Sequence, residues 1–304
     1  MIDVQLSPEV AAALADQRAI VALESTIFSH LGLPSPANRE ALTRCLAAVR
    51  AAGAVPAVTA VLDGVARVGL SDSEHERILG PARKVAERDL PLAIGERWDF
   101  GATTVSASLA LAAQVGIRVF ATGGIGGVHR GAELHADISA DLGALARHPV
   151  VTVSAGAKSF LDLPRTLEML ETLGVTVVGY QCIEFPAFTV VSSGLVLQHR
   201  IDDVDVLARV ATSRLSLGGG MLVCTPVPAS HAVDATIMNA AIDRALATAH
   251  QRGITGPAVT PIVLAEIAAD TSGEAVRANL ALAENNAHVA AMLAMSLVAL
   301  PSKP

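Results

Sequence analysis

Residues 117–131 read IRVFATGGIGGVHRG, a short apolar run that passes straight into a turn holding Gly123, Gly124, Gly126 and Gly127. Runs of this length, rich in Val and Ile and bounded by glycine, read as strands buried on both faces. The pattern recurs at Ala19–Leu23, Val55–Leu62, Leu90–Ile94, Val150–Ser154 and Thr176–Gly179. Helical patterns fall between these runs, near 36–52, 102–115, 137–146 and 164–173. The alternation predicts an α/β fold with three layers, α/β/α, around a central mixed, mostly parallel sheet. Ligands of such sheets bind beyond the carboxyl ends of the strands, so the residues that follow each run are the first candidates for chemistry.

After about residue 185 the rhythm changes. Phe188–Val191 and Leu195–Gln198 read as a short hairpin around Ser193-Gly194, followed by a helix near 203–216 and a strand at Met221–Cys224. The stretches 231–252, 258–270 and 273–298 are helical in pattern and give C-terminal helices that pack on the sheet. No Ser/Gly/Pro-rich linker or repeat divides the chain, so residues 1–304 read as one domain.

Composition narrows the function. The chain is 52% hydrophobic and 3% aromatic, so its core is built from Ala, Val, Leu and Ile. Mean hydropathy is +0.49, yet charges or glycines interrupt every apolar run before the roughly 18 residues that span a bilayer. The first residues, MIDVQLSPEV, lack the basic start and apolar centre of a signal peptide. The expectation is a soluble, cytoplasmic protein with no membrane partner. A net charge of −7 argues against a nucleic-acid partner. Cys45, Cys182 and Cys224 are widely spaced, which predicts reduced, mostly buried thiols.

Only three residues are lysines: Lys84, Lys158 and Lys303. The first two follow apolar runs, where a substrate could reach a primary amine. Lysine, unlike arginine, can lose its proton and form an imine. Coding bias toward arginine is the plain alternative.

Four segments carry candidate chemistry. In Val21-Ala-Leu-Glu24, a carboxyl ends a buried strand, where desolvation raises its pKa and suits a general acid; capping of the next turn is the alternative. The glycine turn exposes backbone N–H groups that can wrap a phosphate, with His129 and Arg130 as added donors. Asp137 and Asp141 are four apart; if helical, they share a face beside that turn and offer oxygen ligands to Mg²⁺ or Mn²⁺, unless they only favour the helix N-terminus. In Val151-Thr-Val-Ser-Ala-Gly156-Ala-Lys158-Ser159, the lysine stands at a strand–helix junction, with Ser159 and Asp162 resembling a capping box. A desolvated amine there is a nucleophile for carbonyl carbon; a salt-bridged lysine is the alternative.

Taken in order, ALESTI, SH-x-G-x-P-x-P, GAVPA, RVGLS, RDLP, GATTVSAS, FATGGIGGVHRGAE, DISADL, SAGAKSFLDL, TLE-x-LET, GY-x(4)-FPAF and NNA resemble the pseudouridine-5'-phosphate glycosidase family from about residue 4 to 297. The resemblance implies an α/β/α homotrimer that cleaves or forms the C–C bond between C1' of ribose 5-phosphate and C5 of uracil. It implies Lys158 as Schiff-base lysine and Glu24 as proton donor. Asp137 falls on the metal-binding aspartate, usually for Mn²⁺, with Mg²⁺ or another divalent ion as alternatives. Lys84, Val105, Ser139, Ala140 and Asp141 fall on substrate contacts, His129 beside them. Asn286 falls on an active-site asparagine, with Asn285 as the alternative.

The sequence departs from that family's pattern at several places. Glu96-Arg-Trp98-Asp-Phe100 replaces a short Gly-Lys-Asn-Gly-like turn, and His135 a usual Thr or Ser. Gln181-Cys182-Ile183 and Thr189-Val190-Val191 replace more polar versions, Cys224-Thr225-Pro226 a usual Ala-Asn-Pro, and Pro257 a usual Lys. Retained sugar-phosphate residues beside altered neighbours suggest a C-ribosyl synthase acting on an aromatic aglycone such as a polyketide, as in antibiotic biosynthesis. The alternative is a glycosidase that releases uracil and ribose 5-phosphate.

Overall fold

A computed structural model of the protein describes residues 2–254 and 259–300. Its strands are β1 (Val4–Leu6), β2 (Ile20–Leu23), β3 (Val55–Leu62), β4 (Val65–Val68), β5 (Arg83–Val85), β6 (Phe100–Thr103), β7 (Val119–Ala121), β8 (Val151–Ser154), β9 (Thr176–Tyr180), β10 (Arg200–Ile201) and β11 (Met221–Cys224). The helices are α1 (Pro8–Ala15), α2 (Ala37–Ala51), α3 (Asp72–Ile78), α4 (Leu90–Gly95), α5 (Val105–Gln114), α6 (Ala132–His135), α7 (Ala140–Arg147), α8 (Leu163–Thr172), α9 (Val204–Ser216), α10 (Ala235–Gln251), α11 (Val259–Asp270) and α12 (Glu274–Ala299).

The strands form one sheet in the order β1-β4-β3-β2-β7-β8-β11-β9-β10, with β6 pairing β3 and β5 pairing β6. From β3 through β10 the pairs are parallel; β4 and β6 run antiparallel to β3. Helix α12, with α2 and α9, covers one face of β2, β7 and β8, while α5 and α7 pack together on the other. This is the expected mixed, mostly parallel three-layer sheet. The central strands are buried along their whole length. Phe28, Phe120, Phe160 and Phe185 are the largest fully buried side chains of a core made mainly of Ala, Val, Leu and Ile.

A chain of buried hydroxyls ties the strand ends together. Thr59 and Thr103 lie 2.8 Å apart, Thr59 and Ser108 2.8 Å, and Ser25 and Thr103 3.1 Å, oxygen to oxygen. These contacts join the end of β2 to β3, β6 and α5. Each hydroxyl is both donor and acceptor, so the group needs no water.

Several expectations change. Leu90–Ile94 is helix, within α4, because Pro91 lacks the N–H a strand ladder needs but fits a helical first turn. The strand of this region is β6, which takes the start of the helix expected from 102; α5 begins at Val105. Gly101 makes that strand possible, since a Cβ there would lie 2.6 Å from Val85 Cγ2. The expected 188–198 hairpin is a loop that bonds to the segment before it: Phe185 N–H donates to Leu195 O (2.8 Å) and Leu197 N–H to Ile183 O (2.8 Å). Asp162, not Ser159, caps α8, accepting from Arg165 N–H at 3.1 Å. Residue 258 of the expected 258–270 helix, and Pro257, lie outside the described residues. No helix among the described residues is long and apolar enough to cross a membrane.

Gly156, two residues past β8, has φ +68°, and a Cβ on it would lie 2.1 Å from Pro186 O. Gly156→Ala therefore combines left-handed backbone with a backbone clash. It should destabilise the fold by about 1–3 kcal/mol, read as a lower midpoint in denaturant; an unchanged midpoint would mean the turn relaxes freely.

Candidate active site

The order β2-β7-β8 puts three carboxyl-terminal strand ends side by side, in register through Leu23, Ala121 and Val153. Glu24 follows β2, Thr122 follows β7, and Lys158 comes shortly after β8. The glycine turn and the lysine loop are stitched together. Ile125 N–H donates to Gly156 O (3.0 Å), and Lys158 N–H donates to Ile125 O (3.2 Å). The backbone thus fixes the origin of the Lys158 side chain.

Glu24 and Lys158 line one cavity of about 350 Å³, which Lys84, His129, Asp137 and Asp141 also line. Glu24 is 8% exposed, and the Thr122 hydroxyl donates to its Oε1. Burial pushes the Glu24 carboxyl above its usual range. Lys158, the Thr122 hydrogen bond and Lys84 pull against this, while Asp141 adds to it. Burial prevails, leaving a carboxylic acid suited to giving up a proton. Burial also pushes the Lys84 ammonium below its usual value; the Lys158 charge adds to this, and Asp141 and Glu24 oppose it.

Two helix N-termini open onto the same cavity. Thr104 precedes α5 and makes no capping bond with its side chain; Thr104, Val105 and Ser106 all line the cavity. Ser139 caps α7, its Oγ accepting from Asp141 N–H at 3.2 Å, and Ser139 and Ala140 line the cavity as well. Exposed N–H groups and aligned peptide dipoles make such termini anion sites. Asp141 ties them to the glycine turn, its two oxygens accepting from Ser106 N–H (3.1 Å) and Gly126 N–H (2.9 Å).

Asp137 and Asp141 do not share a helix face. Ala136 is left-handed at φ 52° and α7 starts only at Ala140, so Asp137 stands before the helix. Its Oδ2 lies 3.9 Å from His129 Nδ1. No three His, Cys, Asp or Glu side chains gather as a metal cage among the described residues. A cavity-wall carboxylate such as Asp137 still fits Mg²⁺, which keeps several waters and takes one or two carboxylates, or Mn²⁺, which suits the same oxygen ligands.

Asn286 does not reach the cavity. It is fully buried on α12, and its Nδ2 donates to Thr122 O (2.7 Å) and Gly123 O (3.1 Å). Asn285 donates to Thr225 Oγ1 at 3.0 Å.

Sequence reading missed a second cavity, about 220 Å³, which shares Leu31 with the first. Leu33, Phe188, Met238 and Ile267 make it apolar. Thr189 and Asn279 also line it, and Thr189 Oγ1 and Asn279 Oδ1 are buried with no hydrogen-bond partner among the described residues. Phe188 holds φ +60°, a costly conformation for an aromatic residue, with its ring against Gly124. Unsatisfied polar atoms in an apolar site were not legible from spacing.

Of the unusual positions, Trp98 lines the first cavity and Thr189 the second. The Arg83 guanidinium lies 3.3 Å from the Trp98 ring centroid, and the indole N–H donates to Glu96 at 2.7 Å. Phe100 is buried in β6. Cys182 and Cys224 lie away from the first cavity, with the Cys182 thiol donating to Cys224 O at 3.5 Å. The His135 side chain lies outside the described residues.

The chain matches the family model described as indigoidine synthase A like protein over residues 9–296. A pseudouridine-5'-phosphate glycosidase of Chloroflexus aurantiacus is 50% identical over 301 residues, 96% of this chain and 98% of that one. A protein of the same name from Arabidopsis thaliana is 45% identical over 299 residues, 97% of this chain and 90% of that one. Among solved structures, the prealnumycin C-glycosynthase AlnA in complex with ribulose 5-phosphate is 39% identical, with a TM-score of 0.88 and 97% of each chain covered.

The raised Glu24 pKa has a stability consequence. Below pH 4.5, the ordinary value, folded and unfolded chains both hold the proton. Above it the unfolded chain releases the proton first, so stability falls as pH rises until the folded carboxyl also ionises. Glu24→Gln removes this loss. Its unfolding midpoint should match the parent below about pH 4.5 and exceed it increasingly toward neutral pH; a gap that widens toward acid would reverse the sign of the shift.

Proposed function

The chain belongs to the indigoidine synthase A like family, and on that premise we propose that it cleaves pseudouridine 5'-phosphate to uracil and ribose 5-phosphate. It is an enzyme of C-glycosidic bonds. The observation that carries the finer reading is the meeting, in one cavity, of a buried carboxyl that holds its proton more firmly than usual with an amine from the strand end two places along the sheet.

A C-glycosidic bond has no heteroatom leaving group, so two carboxylates alone suit it poorly. In our reading Glu24 gives its proton to the ring oxygen, and the C1'–O4' bond opens. The Lys158 amine takes the place of that oxygen on C1'. The proton that the Lys158 nitrogen then loses returns to Glu24 and from there goes to C5 of uracil, while the nitrogen lone pair forms C1'=N and the C1'–C5 bond breaks. Water then hydrolyses the imine, returning the amine and ribose 5-phosphate.

The phosphate fits the two helix N-termini, with Lys84 as counter-charge and Val105, Ser139, Ala140 and Asp141 around it. The aglycone fits toward the second cavity. There Asn279 Oδ1 can accept from a ring N–H and the Thr189 hydroxyl can donate to a ring carbonyl. A divalent ion at Asp137, Mn²⁺ foremost, would supply positive charge beside the sugar phosphate. The unit is read as a homotrimer; exposed Ile183, Val191 and Val196, the last 70% exposed, give one loop an apolar surface to bury.

A second reading, C-ribosyl synthesis on an aromatic aglycone, draws support from Trp98 on the cavity wall. The other altered positions favour it less. Cys182 and Cys224 lie outside the cavity, and Thr189 suits a polar ring as well.

Purified protein with Mn²⁺ should release uracil from pseudouridine 5'-phosphate, detected by chromatography, and Lys158→Ala should lose all turnover and all borohydride-trapped adduct. No uracil, from protein that still forms a reducible adduct with ribose 5-phosphate, would favour the synthase. Asp137→Ala should lose both metal dependence and activity. Full activity of the parent protein under chelation would remove the ion from the account.

A further inference from the structure

Glu24 receives its hydrogen bond from Thr122, and Thr122 is itself held from behind. The Asn286 amide, on the buried face of α12, donates both of its hydrogens to the successive carbonyls of Thr122 and Gly123. Its Oδ1 has no hydrogen-bond partner among the described residues, so the donor side alone anchors this group. These carbonyls sit where β7 gives way to the glycine turn; Thr122 N–H still donates to Val153 O (3.1 Å) and Gly123 O also accepts from Ala155 N–H (3.0 Å), whereas Thr122 O is held by Asn286. The direction of the Thr122 peptide decides where the Thr122 hydroxyl points.

We propose that Asn286 is a positioning residue for the acid: it clamps the Thr122–Gly123 peptide so that the Thr122 hydroxyl stays on the Glu24 carboxyl. Asn286 touches neither cavity, so it acts only through Thr122. This rests on the assignment of Glu24 as the acid. The other groups that act on Glu24 are Lys158 after β8, Lys84 on β5 and Asp141 on α7, and none of them bonds to Asn286 directly. The hydroxyl favours the ionised carboxyl, so losing its aim must make Glu24 hold its proton more firmly.

The test reads Glu24 directly. The infrared carboxyl stretch that disappears in Glu24→Gln is followed against pH in the parent, Asn286→Ala, Thr122→Val and the double variant. Asn286→Ala should move the midpoint upward by about one pH unit, the equivalent of one hydrogen bond to the charged form. Thr122→Val should move it as far, and the double variant no further than Thr122→Val alone. A lower melting temperature with an unmoved midpoint would overturn the proposal, as would two shifts that add. Should Asn286→Ala not fold, Asn286→Leu, near in volume and without a donor or a charge, gives the same readout. Because the band is observed without turnover, the outcome stands whether or not the protein releases uracil.

Discussion

Burial of one carboxyl group, that of Glu24, sets the terms for everything around it. A carboxyl at the end of a buried parallel strand meets no bulk water, and ionising it there is costly. The neighbouring strand ends supply the compensation: a hydroxyl from β7, an amine after β8, a second amine from β5. No single partner brings the group back to its usual range, which is why it remains an acid. The hydroxyl chain beneath it, from Ser25 to Ser108, keeps the strand end from drifting toward solvent.

The same economy governs Asp141. It sits in the cavity wall, yet both oxygens are taken by backbone N–H groups of the glycine turn and α5. Its negative charge between the start of α5 and the glycine turn holds the two together. Glycines at 126 and 127 are needed for this closeness, since a Cβ on them would meet Ser139 Oγ at 2.3 Å and Thr166 Oγ1 at 2.4 Å.

Much of this was legible in the chain. The core strands announce themselves because strands buried on both faces are continuous in Val, Ala and Leu; their order in the sheet, with β2 beside β7 and β11 between β8 and β9, does not follow their order along the chain. The rim was not. β1, β4, β5 and β6 are three or four residues long, and two of them carry Arg67 or Arg83. Leu90–Ile94 has strand composition, and only Pro91 argues otherwise. Glu24, Lys84, His129, Asp137 and Lys158 could be named from position at strand ends and from resemblance. Asn286 could be named too, though not its place behind the turn. Asn279 went unnamed and Thr189 stood out only as a departure from the family pattern, because being unsatisfied is a property of surroundings, not of residue type. Ser159 shows the converse, as a cap signal that the neighbouring Asp162 overrides.

The single tryptophan of the chain, Trp98, stands in the cavity wall with a guanidinium on one face. Its indole is therefore the chain's only strong intrinsic fluorophore, set in the wall of the first cavity. Emission from the unlabelled protein reports on one locality alone, without the averaging that several indoles impose. Any molecule that displaces Arg83, or brings a ring or a charge near the indole, alters brightness and colour at that one point. Entry of a sugar phosphate or a free base into that cavity would thus be read by titrating light, ahead of any assay of bond cleavage.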